Sequence, residues 1–341
     1  MKRFFFILLI CIVFSRYTSA QSVLGDGEQP QVTIDNKGLV RIVFGRNDKI
    51  LYSSSKDRGA SFSKPVLVSE IEGMHLGMTR GPQLASSKDF SVVAAMDKKG
   101  NIHSFVLNHK NNSWTPIKNV NDVEASAPEG LMGITADSNN NFYAVWLDIR
   151  EDKRNNICFA SMNGNSSWSK NRIIYKSPDG HVCECCKPSV AAEGGVVSVM
   201  FRNWVSGSRD LYLGTSTDKG QTFATPEKLG TGTWKLNACP MDGGALAIDS
   251  KNNIHTVWQR DGQIFSAMPG QPETMIGKGR GCTMSNDVFG WSQGTNLLIK
   301  HSGKSEMAIG DGSALKLAHF NKQDFFAVWE NNKKIVYQTM R

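Results

Sequence analysis

Seven short, strand-like runs that each end in a bulky side chain recur along the chain, and they constrain its fold more than any other feature. An apolar segment precedes each run, and a turn and a further strand-like segment follow it. No stretch with helical periodicity and capping residues interrupts the series. Self-similarity at a spacing of a few tens of residues is typical of repeat architectures, so each unit is predicted to be a four-stranded antiparallel meander. The bulky residues are Phe44, Met96, Trp146, Phe201, Trp258, Trp291 and Trp329.

A four-stranded meander cannot bury both of its faces alone, and radial stacking of such units gives a β-propeller. We therefore predict an all-β propeller of seven four-stranded antiparallel blades. The last unit has only three strands before Arg341, and a strand from Ser22 to Gly25 would complete it and close the ring. The seven blades are predicted to start near Pro30, Pro82, Gly130, Pro188, Gly243, Cys282 and Ala314.

The first twenty residues have the pattern of a secretory signal peptide. Lys2 and Arg3 precede an apolar run from Phe4 to Phe14, which is too short to cross a bilayer, and residues 18–20 are small enough for a cleavage site. We predict that residues 1–20 are removed and that residues 21–341 form one propeller domain. The chain is then expected to be exported, either to the periplasm or outside the cell.

Composition and charge exclude several classes of protein. With 40% hydrophobic residues the chain can build a sizeable core, which excludes a disordered protein. The formal net charge is +8, but no block of Lys or Arg occurs, so nucleic-acid binding has little support. No second apolar stretch approaches the length of a membrane span. The diffuse positive charge still permits a small anionic ligand.

Two loops, Ser55–Phe62 and Ser216–Phe223, share the pattern Ser-x-Asp-x-Gly-x-Thr/Ser-aromatic. In each loop the aspartate, Asp57 or Asp218, can accept main-chain N–H bonds across a hairpin, and the glycine can supply a positive φ. Through these loops the chain resembles the Asp-box, or bacterial neuraminidase repeat, propellers, which include the sialidases. The resemblance implies a sialidase-type exo-glycosidase activity, and six blades as an alternative to seven.

In a propeller, the loops that join successive blades share one end with the loops between the second and third strands of each blade. We expect ligands to bind at that end, where the sequence concentrates charged side chains. The leading hypothesis is that this end binds or processes a glycan-like or small anionic ligand. Glu129 and Asp242 are the predicted catalytic acid or base. The predicted ligand-binding residues are Arg80, Lys187, Arg202, Arg209, Trp234 and Arg260.

A sialidase of the resembled family holds a carboxylate with three arginines and uses a tyrosine nucleophile. The predicted ligand-binding arginines could form such a clamp. The family's Arg-Ile-Pro motif is not found near the first blade, where Gln29-Pro30-Gln31-Val32 stands. The tyrosines that follow the signal peptide are predicted to lie in strands and not in loops between blades; they are Tyr52, Tyr143, Tyr175, Tyr212 and Tyr337.

Six cysteines follow the predicted signal peptide. Cys158 is predicted to be a core thiol in a strand. The other five fall in loops at the predicted ligand end, and an even number of cysteines in an exported chain favours disulfides. These five are Cys183, Cys185, Cys186, Cys239 and Cys282.

The dense spacing Cys183-Glu184-Cys185-Cys186, with Cys239 and Cys282 at the same end, is also typical of thiolates that bind a soft metal, here copper or zinc. His181 could complete such a site, as could His75 or Met78. Two alternatives to glycan binding therefore stay open. The first is a metal-binding or thiol-redox propeller that uses this loop, and the second is a protein-interaction scaffold with disulfide-bridged loops.

Overall fold

The structure is a computed structural model that describes residues 20–35 and 37–340. These residues form seven four-stranded antiparallel sheets, and no helix occurs among them. The prediction of a seven-bladed propeller is confirmed, and the six-bladed alternative is wrong. The predicted signal peptide, apart from its last residue, lies outside the described residues. No membrane-spanning helix is found in the part of the chain that is described.

The first strand, β1 (Ser22–Asp26), precedes six blades that each take four consecutive strands. Blade 1 contains β2 (Glu28–Ile34), β3 (Val40–Arg46), β4 (Lys49–Ser55) and β5 (Val66–Glu70). Blade 2 contains β6 (Gln83–Ser86), β7 (Phe90–Met96), β8 (Ile102–Asn108) and β9 (Ser113–Ile117). Blade 3 contains β10 (Met132–Ala136), β11 (Asn141–Asp148), β12 (Asn156–Asn163) and β13 (Arg172–Tyr175).

The second half of the ring continues this order. Blade 4 contains β14 (Ser189–Glu193), β15 (Val196–Arg202), β16 (Leu211–Ser216) and β17 (Glu227–Lys228). Blade 5 contains β18 (Ala245–Ile248), β19 (Ile254–Arg260), β20 (Gln263–Ala267) and β21 (Thr274–Lys278). Blade 6 contains β22 (Arg280–Ser285), β23 (Val288–Gln293), β24 (Asn296–His301) and β25 (Met307–Asp311). Blade 7 contains β26 (Ser313–His319), β27 (Phe325–Asn331) and β28 (Lys334–Met340).

The fourth strand of blade 7 is β1, as the sequence predicts. β1 pairs antiparallel with β28, so that Ser22 lies opposite Tyr337 and Asp26 lies opposite Lys334. The first strand of every blade is the innermost one, and each contacts the innermost strand of the next blade from β2 round to β26. β26 in turn contacts β2. The chain therefore forms a closed ring around a central axis.

The bulky side chain that marks each repeat is buried, with at most 2% of its surface exposed in all seven cases. Trp146 of blade 3 belongs to one apolar cluster with Met96 of blade 2. Phe44 of blade 1 shares another with Phe326 and Val328 of blade 7. Each of these bulky side chains removes a large apolar area from water. The residue that recurs once per repeat in the sequence therefore recurs once per interface between blades in the structure.

The Asp57 and Asp218 loops have the same hydrogen-bond pattern. Ser55 Oγ donates to Asp57 Oδ1 at 2.6 Å, and the main-chain N–H of Ser61 donates to the same oxygen at 2.9 Å. Asp218 accepts the equivalent bonds from the residues at the same spacing. The hydrogen bonds from Ser55 and Ser61 lower the pKa of the Asp57 carboxyl to about 2.

Contacts place the Asp57 loop at the end of the ring opposite the loops between blades. Arg58 forms an ion pair at 2.9 Å with Asp324, which lies in the hairpin between the first two strands of blade 7. Phe62 closes the loop against Tyr337, with ring centres 4.7 Å apart. The loop therefore fastens one blade to its neighbour, which is a structural role.

The depressed pKa of Asp57 predicts an acid-dependent loss of stability. The ionised carboxyl accepts the loop's hydrogen bonds. Its contribution to the free energy of unfolding is therefore present above the unfolded pKa of about 3.9 and is lost as the pH falls towards about 2. Asp57→Asn removes this titration, and its unfolding free energy should fall less steeply between about pH 4 and pH 2. Urea unfolding at several pH values measures both slopes. Lys56→Gln, a neighbouring exposed change, should keep the wild-type slope, and equal slopes in all three proteins would contradict the prediction.

Candidate functional site

The loops between blades and the loops between second and third strands meet at one end of the ring, which we call the loop face. The main-chain N–H of Ile149 donates to the carbonyl of Ser126 at 2.8 Å. The N–H of Cys183 donates to the carbonyl of Arg202 at 3.0 Å. In each pair, one residue lies in a loop between blades and the other lies in or next to the loop after a second strand.

Side chains from four blades converge at the channel mouth, which we define by Gln83, Lys187, Asp242 and Lys316. Lys187, just before β14, donates a hydrogen bond from Nζ to Gln83 Oε1 of β6 at 2.5 Å. Lys316 lies on the innermost strand β26, and its charge acts on Lys187. The carboxylate of Asp242, just before β18, acts on Lys316.

Electrostatics at the channel mouth disfavour two ammonium groups side by side. Burial, and then the charge of Lys316, hold the pKa of Lys187 well below its ordinary value. Burial also lowers the pKa of Lys316, and the Asp242 carboxylate opposes that effect. Asp242 Oδ2 additionally accepts a hydrogen bond from the main-chain N–H of Gly281 at 2.8 Å. The channel mouth therefore holds two lysines whose ammonium forms are disfavoured, with the Asp242 carboxylate acting in favour of the Lys316 ammonium.

Arg202 is buried, with 1% of its surface exposed, and is bound to the main chain. Its Nε donates to the Asp242 carbonyl at 2.9 Å, and its Nη1 and Nη2 donate to the carbonyls of Arg209 and Gln259 at 2.7 and 2.8 Å. Its guanidinium also lies 5.3 Å from the ring centre of Trp234. Arg202 and Trp234 thus pack together and join the loops of blades 4 and 5.

The other predicted ligand-binding arginines have different partners. Arg80 Nε donates to the Glu129 carbonyl at 2.6 Å. Arg260 Nη2 binds Glu273 Oε1 at 2.8 Å, and Arg209 Nη1 donates to Cys183 Sγ at 3.0 Å. These contacts direct the guanidinium groups to separate parts of the loop face and do not assemble a three-arginine clamp.

Arg80 and Glu129 line one cleft of about 620 Å³ between blades 1, 2 and 3. His75 and Met78 line the same cleft, and His75 Nε2 lies 3.0 Å from the Pro128 carbonyl. His75 and Met78, which the sequence offers as additional metal ligands, therefore lie in the lining of this cleft.

Three cysteine sulfurs are grouped just before the first strand of blade 4, and we call these cysteines, with Cys239, the sulfur cluster. The Sγ atoms of Cys183, Cys185 and Cys186 all lie within 4.8 Å of one another. Cys183 Sγ is 2.9 Å from Cys186 Sγ and 3.7 Å from Cys185 Sγ. Cys185 forms a disulfide with Cys239. The structure thus combines a disulfide with two free thiols, the pairing that the sequence left open.

The two free thiols of the sulfur cluster differ in charge. The hydrogen bond with Cys186, together with the charges of Arg209 and Arg202, outweighs burial and lowers the pKa of Cys183. Burial and the adjacent Cys183 raise the pKa of Cys186 well above its ordinary value. Cys183 is therefore the more acidic thiol of the pair, and Arg209, which donates to its sulfur, stabilises its thiolate.

Gly243 allows the two loops of the sulfur cluster to lie against each other. A Cβ atom at this position would lie 1.9 Å from the Lys187 carbonyl oxygen, so any larger residue would force the loops apart. The close approach brings the loop that contains Cys239 to the loop that contains Cys185. The sequence placed a blade start at Gly243, but this tertiary contact has no local signal.

The remaining predicted cysteine and histidine ligands lie around the cluster. Cys282 is buried and free, and its pKa is raised well above the ordinary value by burial and by the Asp242 carboxylate. His181 Nδ1 lies 3.3 Å from Glu184 Oε2, and its ring stacks on Trp204. Neither belongs to the group of donor atoms within 4.8 Å. Cys158 is fully buried in β12, as predicted.

Sequence reasoning missed two residues of the channel mouth, Gln83 and Lys316, and the contact of Arg209 with the sulfur cluster. Lys316 is a charged residue among the buried apolar residues of an innermost strand, and that contrast was the available signal. No feature of the sequence indicated Gln83 or the contact between Arg209 and Cys183. The tyrosines among the described residues lie in strands β4, β11, β13, β16 and β28, as predicted.

No family model matches the chain, and no curated protein sequence matches it. Solved structures do. A catalytically inactive virginiamycin B lyase from Staphylococcus aureus has a TM-score of 0.57 at 12% identity, covering 94% of this chain and 99% of its own. The Hadza microbial sialidase Hz136 has a TM-score of 0.54 at 12% identity, covering 93% of this chain and 66% of its own.

An ulvan lyase bound to -[GlcA(1-4)Rha3S]- is also similar, with a TM-score of 0.55 at 10% identity over 93% of this chain and 95% of its own. Its neighbours in fold therefore include a sialidase and two lyases. At such low identities, these similarities show that the chain has a β-propeller fold.

Proposed function

We propose that this propeller binds a small anionic, glycan-like ligand at the channel mouth, through the ammonium groups of Lys187 and Lys316. The observation that carries the proposal is the hydrogen bond that joins Lys187 of blade 4 to Gln83 of blade 2, beside which the charges of Lys316 and Asp242 also act. A buried cation is costly unless a partner compensates its charge. The partner of Lys187 is the neutral amide oxygen of Gln83, so a ligand carboxylate would complete the charge balance.

The fold neighbours support an acidic saccharide as the ligand class. The ulvan lyase is bound to a saccharide that contains GlcA, and a sialidase is among the similar structures. Lysine ammonium groups bind carboxylates through strong, charge-assisted hydrogen bonds. Glu129 and Asp242 stay the predicted acid or base if the ligand is processed.

Binding is favoured over hydrolysis by the usual sialidase route. That route needs convergent arginines and a tyrosine at the ligand end. Here Arg202 is bound to main-chain carbonyls, and Arg260 is paired with Glu273. The tyrosines of the described residues lie in strands.

Removing either channel lysine is expected to weaken binding of acidic sugars without loss of stability. Lys187→Met or Lys316→Met deletes a charged hydrogen-bond donor, which should lower the affinity for glucuronic acid or N-acetylneuraminic acid by about tenfold or more. The unfolding free energy should stay equal or rise, because each change removes a buried like charge. Calorimetric titration and urea unfolding measure the two effects.

Lys56→Met, an exposed change in the loop at the opposite end, is the matched control and should bind as the wild type does. Glucose, which has no carboxylate, should bind at least about tenfold more weakly than glucuronic acid. The proposal is wrong if glucose binds equally well, or if both channel variants keep the wild-type affinity.

A second candidate function is supported by the sulfur cluster, namely thiol exchange, with soft-metal binding as its variant. Three Sγ atoms within 4.8 Å and an adjoining disulfide are the observation that favours it. Arg209 lies 3.0 Å from Cys183 Sγ, and a positive charge there stabilises a thiolate and repels a metal cation. With the disulfide intact, thiol chemistry is therefore favoured over metal binding.

Reduction of the Cys185–Cys239 disulfide should convert the cluster into a four-thiol site for copper(I) or zinc. We expect the reduced chain to bind about one ion and the native chain to bind much less, because four thiolates outweigh the arginine charges. Metal analysis after gel filtration measures the stoichiometry. Cys183→Ser should lose the ion, whereas Cys282→Ser, a buried thiol outside the group, should keep it. Equal metal content in the native and reduced chains would contradict this prediction.

The Cys185–Cys239 disulfide is compatible with export. We propose that the chain acts in the periplasm or outside the cell. The interpretation as a protein-interaction scaffold stays a prediction.

A further inference from the structure

We propose that the sulfur cluster is an internal thiol–disulfide relay, in which the buried pair Cys183 and Cys186 reduces the surface disulfide Cys185–Cys239. This inference rests on the second proposed function, thiol exchange at the cluster, and specifies which sulfur attacks, which leaves and where the electrons go. The relay would deliver a dithiol to the protein surface, where it could reduce a disulfide on another molecule.

The relay is suggested by the different exposure of two adjacent sulfur pairs. Cys183 and Cys186 are 0% and 1% exposed, so an external disulfide has no direct access to them. Cys185 is half-buried and Cys239 is exposed. The link between the pairs is the distance of 3.7 Å between Cys183 Sγ and Cys185 Sγ. This places a buried sulfur in contact with one end of the surface disulfide.

Arg209 determines which buried sulfur attacks. Its Nη1 donates to Cys183 Sγ at 3.0 Å, and Cys183 Sγ lies 2.9 Å from Cys186 Sγ. The guanidinium stabilises negative charge on Cys183. A thiolate is the nucleophile in disulfide exchange, so Cys183 is the attacking residue and Cys186 the resolving one.

In the first step, the Cys183 thiolate attacks Cys185 Sγ. A Cys183–Cys185 bond forms, the Cys185–Cys239 bond breaks, and the electron pair leaves on Cys239, which takes up a proton from water. In the second step, Cys186 attacks Cys183 Sγ and gives its proton to the departing Cys185.

The sum is an isomerisation. Cys183 and Cys186 are oxidised to a disulfide, and Cys185 and Cys239 are reduced to two thiols. Two electrons pass from the buried pair to the surface pair. One proton comes from Cys186, the other comes from water in place of the proton that Cys183 loses when it ionises, and no external oxidant or reductant is consumed.

Trapping with N-ethylmaleimide tests the relay on the full chain in the presence of a chelator. Without reduction, mass spectrometry of peptides reports which cysteines are alkylated and which are bridged. As incubation proceeds, we expect alkylated Cys239 to accumulate together with an equal amount of a Cys183–Cys186 bridge, because alkylation removes the surface dithiol from the equilibrium.

Three variants separate the steps. Cys183→Ser should slow Cys239 alkylation by at least about tenfold, because the attacking sulfur is absent. Cys186→Ser should still release Cys239 but should accumulate a Cys183–Cys185 bridge, since the resolving sulfur is missing. Cys282→Ser should behave as the wild type. Cys186→Ser keeps the test decisive if Cys183→Ser does not fold, which circular dichroism would show.

Two results would overturn the relay, and they differ in what else they imply. If Cys183 and Cys186 are free thiols but Cys239 is never alkylated, the relay is wrong while thiol exchange at the cluster can still operate. If the chain holds Cys183 in a disulfide before any incubation and no thiol of the cluster is free, both the relay and the second proposed function are wrong.

Discussion

Arg202→Ala is expected to destabilise the folded chain by about 3–5 kcal/mol. The substitution leaves the carbonyls of Asp242, Arg209 and Gln259 without a charged donor and opens a cavity under Trp234. These carbonyls belong to two blades, so the change also loosens the loops that position the channel mouth. Urea unfolding followed by tryptophan fluorescence measures the effect.

Arg46→Ala is the matched control, since Arg46 is an exposed arginine at the end of β3 and its loss should cost less than about 0.5 kcal/mol. The result bears on function as well. Arg202 is a predicted ligand-binding residue, and a variant that loses ligand affinity but keeps wild-type stability would show that the buried contacts are not its main role.

Deletion of β1 is expected to cost about 2–6 kcal/mol, because four positions of β1 pair with β28 and each hydrogen bond has a net value of about 0.5–1.5 kcal/mol. The deletion also uncovers the edge of β28, a strand rich in β-formers, which should promote aggregation. Thermal unfolding and light scattering of chains that start at residue 21 and at residue 27 measure the difference.

The chain that starts at residue 21 is the control, because it keeps β1 and the hydrogen bond from Gln21 Nε2 to the Ile309 carbonyl. It should unfold as one cooperative unit. If both chains unfold with the same free energy, closure of the ring by the first strand is not a major source of stability.

The number of blades and the closure of the ring could be predicted from the sequence because both depend on local pattern. A buried aromatic such as Trp146 or Trp329 is required once per interface between blades, so the interface leaves a periodic mark. The incomplete last unit likewise predicted that Ser22–Gly25 would supply a strand. The placement of Cys183, Cys185, Cys186 and Cys239 in loops at one end followed from the same topology, whereas Cys282, predicted to lie in a loop, lies in strand β22.

The partners within the site could not be predicted in this way. Arg80 and Arg209 lie in loops of the loop face, and Arg202 and Arg260 end strands beside it, yet each guanidinium has a different acceptor. Those acceptors are mostly main-chain carbonyls or distant side chains, and carbonyls are present at every position. The sequence around such an arginine therefore does not show whether its side chain binds a ligand or stabilises the loops.

The sequence by itself determined the repeating sheets, their number, the strand that joins the two ends of the chain, and the end of the ring at which charge and sulfur collect. Tertiary structure alone decided that Cys185 pairs with Cys239, that Cys183 lies beside Arg209, and that Lys187 binds Gln83. The physical reason is that the first group depends on hydrophobic periodicity along the chain, whereas the second depends on distances between loops that are set only when seven blades pack into a ring.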